Sequence, residues 1–171
     1  VVKREDFVPT AHKALAFMDL EIPLQGSHDE AVRLGQCMLA PKVEARMLQA
    51  LNLQKHESVL EIGAGSGYMA ALLAHSAQRV ISLEIDINLV NTARDNLQCA
   101  GVYNAEVRHA DGATEVLPHG PFDAIMLSGS VAEVPASLLA QLKVGGRLVA
   151  IVGNEPVMRA ALIARTGDAT Y

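Results

Sequence analysis

The chain has 171 residues, half of them apolar, with 14 Lys and Arg against 19 Asp and Glu and a formal charge of −5. That length suits one domain with a sizeable core, and the intermixed charges lack the basic footprint that selects a nucleic-acid backbone or an anionic membrane. Cys37 and Cys99 have neither metal-ligand nor disulfide spacing, and the 6 histidines form no H-x-x-x-H or H-x-H pair. No apolar run approaches the roughly 20 residues that span a bilayer, and the start is no secretion signal, so the cytoplasm is the expected location.

In chain order, Ile22-Pro23-Leu24 is followed by Gln25-Gly26-Ser27-His28-Asp29-Glu30, a polar stretch that reads as the most loop-like segment. From about residue 42, helical and strand-like segments alternate with short joints, the pattern of a doubly wound, mostly parallel α/β sheet with helices on both faces. Val43, Met47, Leu48 and Leu51 mark one helical face.

Strand 58–62 then runs into Gly63-Ala64-Gly65-Ser66-Gly67-Tyr68. Three glycines at alternate positions allow a sharp turn and let main-chain NH groups approach a ligand with no Cβ between, and the following helix points its positive end there. A dinucleotide-binding G-x-G-x-x-G would place its third glycine at position 68, where Tyr68 stands. The spacing therefore favours a nucleoside without pyrophosphate, S-adenosylmethionine.

Two later segments corroborate the turn. Val80-Ile81-Ser82-Leu83-Glu84 ends in an acid 17 residues after Gly67, where the second strand of such a unit offers a carboxylate to both ribose hydroxyls. Leu89, Val90, Ala93, Leu97 and Ala100 mark the next helix, and strand 105–109 leads to Asp111-Gly112. There a carboxylate can accept from an adenine amino group beside a backbone NH that reaches a ring nitrogen. Taken singly, Glu84 also reads as an exposed strand end and Asp111-Gly112 as an ordinary turn; the cofactor reading rests on all three together.

Strand 122–128 ends at Ser128-Gly129-Ser130, the carboxyl end where open parallel sheets bind ligands, so Ser128 is a candidate for the acceptor side or a simple turn residue. A helix over Ala136 to Leu142, stopped by Gly145-Gly146, precedes strand 147–152.

These residues resemble the protein-L-isoaspartate O-methyltransferase family. The likeness rests on Phe7-Val8-Pro9, Ile22-Pro23-Leu24, Gly35-Gln36 with Ala40-Pro41, Val59 to Tyr68 with Ala70 to Ala74, Asp111-Gly112, Phe122-Asp123-Ala124-Ile125, Val134-Pro135 and Gln141 to Val149. It implies one S-adenosylmethionine-dependent methyltransferase domain over 1–171. Residues 1–41 would form a helical N-terminal extension on the substrate side and 42–171 a Rossmann-like core, whose last strands are expected beyond Tyr171. It implies Gly63, Ala64, Gly65 and Tyr68 around the methionyl part of the cofactor, Glu84 with Ile85 at the ribose, and Asp111 with Gly112 at the adenine. Glu61 would orient the methionyl ammonium through water, or serve only as a strand-end acid. The implied acceptor is the carboxylate of an isoaspartyl peptide or protein.

One departure stands out. Where the family usually reads Thr-Ile-Ser, this chain has Cys37-Met38-Leu39, and a leucine neither donates nor accepts a hydrogen bond. The link from Gln25 to Leu34 is also longer than the family's, which implies a reshaped substrate loop. Cys37 has no recognisable histidine partner and reads as an inert thiol, with Met38 and Leu39 as pocket lining or core. No catalytic residue is assigned. Isoaspartyl methylation, methylation of another acceptor such as a small molecule, and a non-catalytic cofactor-binding module all fit the sequence.

Overall fold

The structure is a computed structural model that describes residues 2–154, 157–168 and 170–171. Its centre is a six-stranded sheet of order β5-β4-β3-β6-β7-β8, built from β3 (Ser58–Ile62), β4 (Arg79–Glu84), β5 (Ala105–His109), β6 (Phe122–Val131), β7 (Leu142–Asn154) and β8 (Val157–Ala164). All neighbouring pairs are parallel except β7 with β8. The antiparallel β8, with apolar residues over 160–164, was not anticipated from sequence.

Alternation sorts the buried side chains onto two faces. Val59, Val80, Ala124, Met126 and Val149 pack beneath α2 (Pro41–Leu51) and α3 (Tyr68–Ser76), through Met47, Leu51, Met69 and Leu73. On the same face, α4 (Ile87–Cys99) packs Val90, Ala93 and Leu97 against Val107. Ala100, expected on that buried stripe, is the exposed residue just past the helix. Leu60, Ile81, Leu83, Ile125, Leu127, Leu148 and Ala150 fill the other face with Leu117, Phe122 and Leu138. That face carries only the single-turn helix α5 (Ala136–Leu139) among the described residues.

The helix expected to reach Leu142 stops three residues earlier because Leu142 already pairs with Phe122 in the sheet. Gly145 and Gly146 do not end a helix; they lie in an irregularity of β7, where the register jumps from Phe122↔Leu142 to Ala124↔Arg147. A Cβ on Gly146 would stand 2.9 Å from the Lys143 oxygen and 3.0 Å from the Asp123 oxygen, so no side chain fits there.

Residues 2–40 form two short 3-10 helices (Arg4–Asp6 and Thr10–Leu15), a two-residue ladder between β1 (Ile22–Pro23) and β2 (Cys37–Met38), and the helix α1 (His28–Leu34). The segment expected to be a loop thus starts a helix. The Ser27 hydroxyl accepts from the Glu30 amide at its N-terminus, and Gly35 closes it at φ 68° with amides returned to Ala31 and Val32.

Candidate active site

Chain order places the first strand of the core, β3, between β4 and β6, so the sheet's switch point opens between the carboxyl ends of β3 and β6. The glycine turn leaves β3 there and Ser128 lies near the end of β6. A Cβ on Gly63 would stand 3.7 Å from the Ser128 backbone, so the two ends are in close approach. Gly63, Gly65 and Gly67 have φ of 89°, 53° and 84°, the left-handed region that glycine enters freely.

Four amides of this turn are engaged within the protein. Those of Gly63 and Ala64 reach the Leu83 carbonyl, and that of Gly67 reaches Ala64. The Gly65 amide donates to Glu84 Oε2 at 2.9 Å, while Glu84 Oε1 accepts from the Asp86 amide at 3.0 Å. Glu84 is therefore buried rather than an exposed strand end, and it braces the turn while facing the same sheet edge. Ile85 beside it is exposed, and its carbonyl is bonded to His109 Nε2 at 2.9 Å, which fixes His109 as a strand-end brace.

Asp111 is exposed, and its Oδ1 accepts from the Ala113 amide, a local turn bond. Gly112 packs so tightly that a Cβ would fall 2.5 Å from Ile62 Cγ2. The β4–β5 register pairs Glu84 with His109, so Glu84-Ile85 and Asp111-Gly112 arrive along one edge as expected.

A small cavity of about 30 Å³ lies at the turn, lined by Leu24, Cys37, Met38, Leu39, Glu44, Gly63, Ala64, Gly65, Tyr68 and Ser128 among others. It has room for a water or two, with Leu24 covering Gly65. A second cavity of about 180 Å³ adjoins it, lined by Glu21, Val32, Gly35, Cys37, Leu39, Ser128, Ser130, Ile151 and Met158. Cys37, Leu39 and Ser128 belong to both and form the wall between them. Burial, then the charge of Glu21, pushes the Cys37 thiol up, which keeps it protonated and argues against a nucleophile.

Glu61 is fully buried and lines neither cavity. Its Oε2 accepts from Ser82 Oγ at 2.6 Å and its Oε1 from Ser128 Oγ at 2.8 Å, and burial pushes its carboxyl up to about 8. It reaches the cavities through a serine hydroxyl, where the sequence suggested a water. Two residues that the sequence did not single out also belong here. Arg4 pairs with Glu44 of α2, donates to the Leu39 carbonyl at 2.9 Å, and places its guanidinium 5.3 Å from the centre of the Tyr68 ring.

The family profile described as Protein-L-isoaspartate(D-aspartate) O-methyltransferase matches residues 1–171. The chain belongs to this family. A protein-L-isoaspartate O-methyltransferase of Syntrophobacter fumaroxidans is 42% identical over 149 residues, 86% of this chain and 70% of the relative's length. One from Methanoculleus marisnigri is 40% identical over 89% of this chain and 66% of its own length. A solved protein-L-isoaspartate O-methyltransferase superposes with TM-score 0.79 at 26% identity, covering 93% of this chain and 51% of that one. The chain thus spans about half to seven tenths of the length of these protein-L-isoaspartate O-methyltransferases. The family is one of methyltransferases that use S-adenosylmethionine; the Glu84 and Asp111 carboxylates are hydrogen-bond acceptors of the kind that its ribose hydroxyls and adenine amino group call for. Among the described residues no helix is long and apolar enough to cross a membrane.

Proposed function

We propose that the chain transfers a methyl group to the side-chain carboxylate of an isoaspartyl residue in a peptide or protein. The observation that carries this reading, beside family membership, is the pair of adjoining cavities with a shared wall of Cys37, Leu39 and Ser128. Donor and acceptor would meet where Cys37, Leu39 and Ser128 border both cavities. Gly63, Ala64, Gly65 and Tyr68 would hold the methionyl part of the cofactor, Glu84 and Ile85 its ribose, and Asp111 with Gly112 its adenine. Residues 1–41 would supply the acceptor side together with Ser128, Ile151 and Met158, and the rest of the core the cofactor side, acting in the cytoplasm.

When bound, S-adenosylmethionine supplies a methyl group on a positively charged sulfur. An ionised carboxylate is already a nucleophile, so the chain's task is alignment, worth several kcal/mol of the barrier, rather than proton removal. Val32, Leu39, Ile151 and Met158 make up the apolar part of the acceptor cavity's lining. Excluding water favours a reaction in which two opposite charges disappear.

The same lining supports a second reading, methylation of another acceptor, since Leu39 supplies no hydrogen bond and the one charged residue lining that cavity, Glu21, is an acid. Labelled methyl transfer to an isoaspartyl peptide and its aspartyl counterpart decides between them. Selective labelling of the first supports repair; cofactor binding with neither labelled supports the changed acceptor or a non-catalytic module.

A further inference from the structure

Val59, Glu61, Ser82, Met126 and Ser128 project from the same sheet face, and the register sets Glu61 directly opposite both Ser82 and Met126. Three polar side chains thereby meet beside the apolar Val59 and Met126. Ser82 is fully buried and donates to Glu61 Oε2. Ser128 is only partly buried, bonds Glu61 Oε1 on one side and lines both cavities on the other. The charged groups that act on Glu61 are Glu84, at the end of β4, and Glu44 of α2, both acids. Together with burial they favour its neutral form, with a midpoint of about 8.

We propose that Ser128 is the hydroxyl donor that grips the acceptor carboxylate, and that the proton on Glu61 turns the Ser128 hydroxyl toward the acceptor cavity. This rests on the methyl-transfer reading above. A serine hydroxyl has one hydrogen. With Glu61 ionised, both serines give their hydrogens to it, and Ser128 offers an approaching carboxylate only lone pairs. With Glu61 neutral, Oε2 still accepts from Ser82, so the acid proton sits on Oε1 and is donated to Ser128 Oγ. The Ser128 hydrogen is then free to point into the cavity. Leu39 cannot provide that bond, so Ser128 takes over the task of the missing family serine from β6.

In the transfer itself the bond from the sulfonium sulfur to the methyl carbon breaks and its electron pair stays on sulfur. A carboxylate lone pair forms the new carbon–oxygen bond. A thioether and a neutral ester result, and the protons on Ser128 and Glu61 remain where they were. Burial, then the charge of Glu21, pushes the Cys37 thiol on the same wall up, away from its ionised form. Ser128 would be a catalytic residue; Glu61 and Ser82 are positioning residues that act through it.

The test uses the full chain with Ser128→Ala, Ser128→Thr and Glu61→Gln. It measures methyl transfer to an isoaspartyl peptide from about pH 6 to 9, peptide binding in the presence of S-adenosylhomocysteine, and S-adenosylhomocysteine binding alone. Ser128→Ala is expected to lower kcat/KM by about 10²-fold, as loss of one positioned donor does, with S-adenosylhomocysteine affinity kept and Ser128→Thr restoring much of the rate. The wild-type rate is expected to fall about tenfold between pH 7 and 9, as a single acid with that midpoint ionises. Glu61→Gln, whose amide donates at every pH, should remove that fall. A Ser128→Ala rate equal to the wild type, loss of S-adenosylhomocysteine binding in step with transfer, or a Glu61→Gln profile that still declines would each overturn the proposal. If the wild type labels no isoaspartyl peptide, the methyl-transfer reading fails instead. The serine contact then stands only if Ser128→Ala weakens peptide binding.

Discussion

Arg4 and Glu44 form an ion pair inside the molecule although 40 residues separate them, and each side chain is only 6% exposed. Burial outweighs the attraction of Arg4 and pushes the Glu44 carboxyl up to about 7. Through its bond to the Leu39 carbonyl, Arg4 also holds the wall between the cavities. Arg4→Ala would leave a buried acid without its cation and the Leu39 carbonyl without its donor. A loss of about 3–5 kcal/mol is expected, read as a lower urea midpoint. Arg4→Met combined with Glu44→Leu should recover most of it.

Gly112→Ala is expected to cost about 1–3 kcal/mol by overpacking, because the new methyl would fall 2.5 Å from Ile62 Cγ2 and 2.7 Å from its Cδ1. The strain would displace Asp111 beside it and weaken S-adenosylhomocysteine binding. In an Ile62→Ala background the same substitution should cost clearly less, and calorimetry with thermal unfolding of the four chains closes the cycle.

Leu39→Ser should raise transfer to an isoaspartyl peptide by about tenfold, below the 10²-fold or more that a single donor can contribute, because Ser128 lines the same wall. Initial rates at saturating cofactor check it. No change in rate would count against the isoaspartyl reading.

Stability should fall as pH rises from about 5 to 8.5. Glu61 and Glu44 both have carboxyls raised in the folded chain, to about 8 and about 7 against an ordinary 4.5. The stability they contribute is complete below the ordinary value and is lost as pH climbs through the raised ones. Glu57 and Glu106 work in the opposite sense. Hydrogen bonds from Arg147 and Arg108 hold them below their ordinary value, so their contribution is lost only in acid. Urea midpoints should therefore peak near pH 5, and Glu61→Gln should flatten the alkaline side.

The architecture was legible where side-chain pattern and backbone demand coincide. The apolar runs around Leu60, Ile81 and Ile125 mark buried strands, and the positive φ values at Gly63, Gly65 and Gly67 explain why those glycines stand at alternate places. Pairings across the fold were not legible. Nothing local to Arg4 or Glu44 marks them as partners, and the apolar run around Ser82 hides it, although a serine in a buried strand needs a partner. The helix α1 had a readable start, since Ser27 and Glu30 stand at capping-box spacing. Its polar composition concealed it. The pair Gly145-Gly146 misled because two glycines after an apolar stretch resemble a helix stop, whereas here the close approach of three carbonyl oxygens excludes any Cβ.

Asp86 holds more than the start of α4. Its Oδ1 accepts from the Asn88 and Leu89 amides, and its Oδ2 accepts from Gln25 at 2.9 Å and from Gln36 at 3.1 Å. Those two glutamines flank α1, so one oxygen clasps both ends of the excursion that carries Val32 and Gly35 to the acceptor cavity. With its ends fastened together, that segment can be lengthened, shortened or exchanged at small closure cost. The fold thus carries a replaceable cassette beside the second cavity, while the carboxyl edge of the sheet stays as it is.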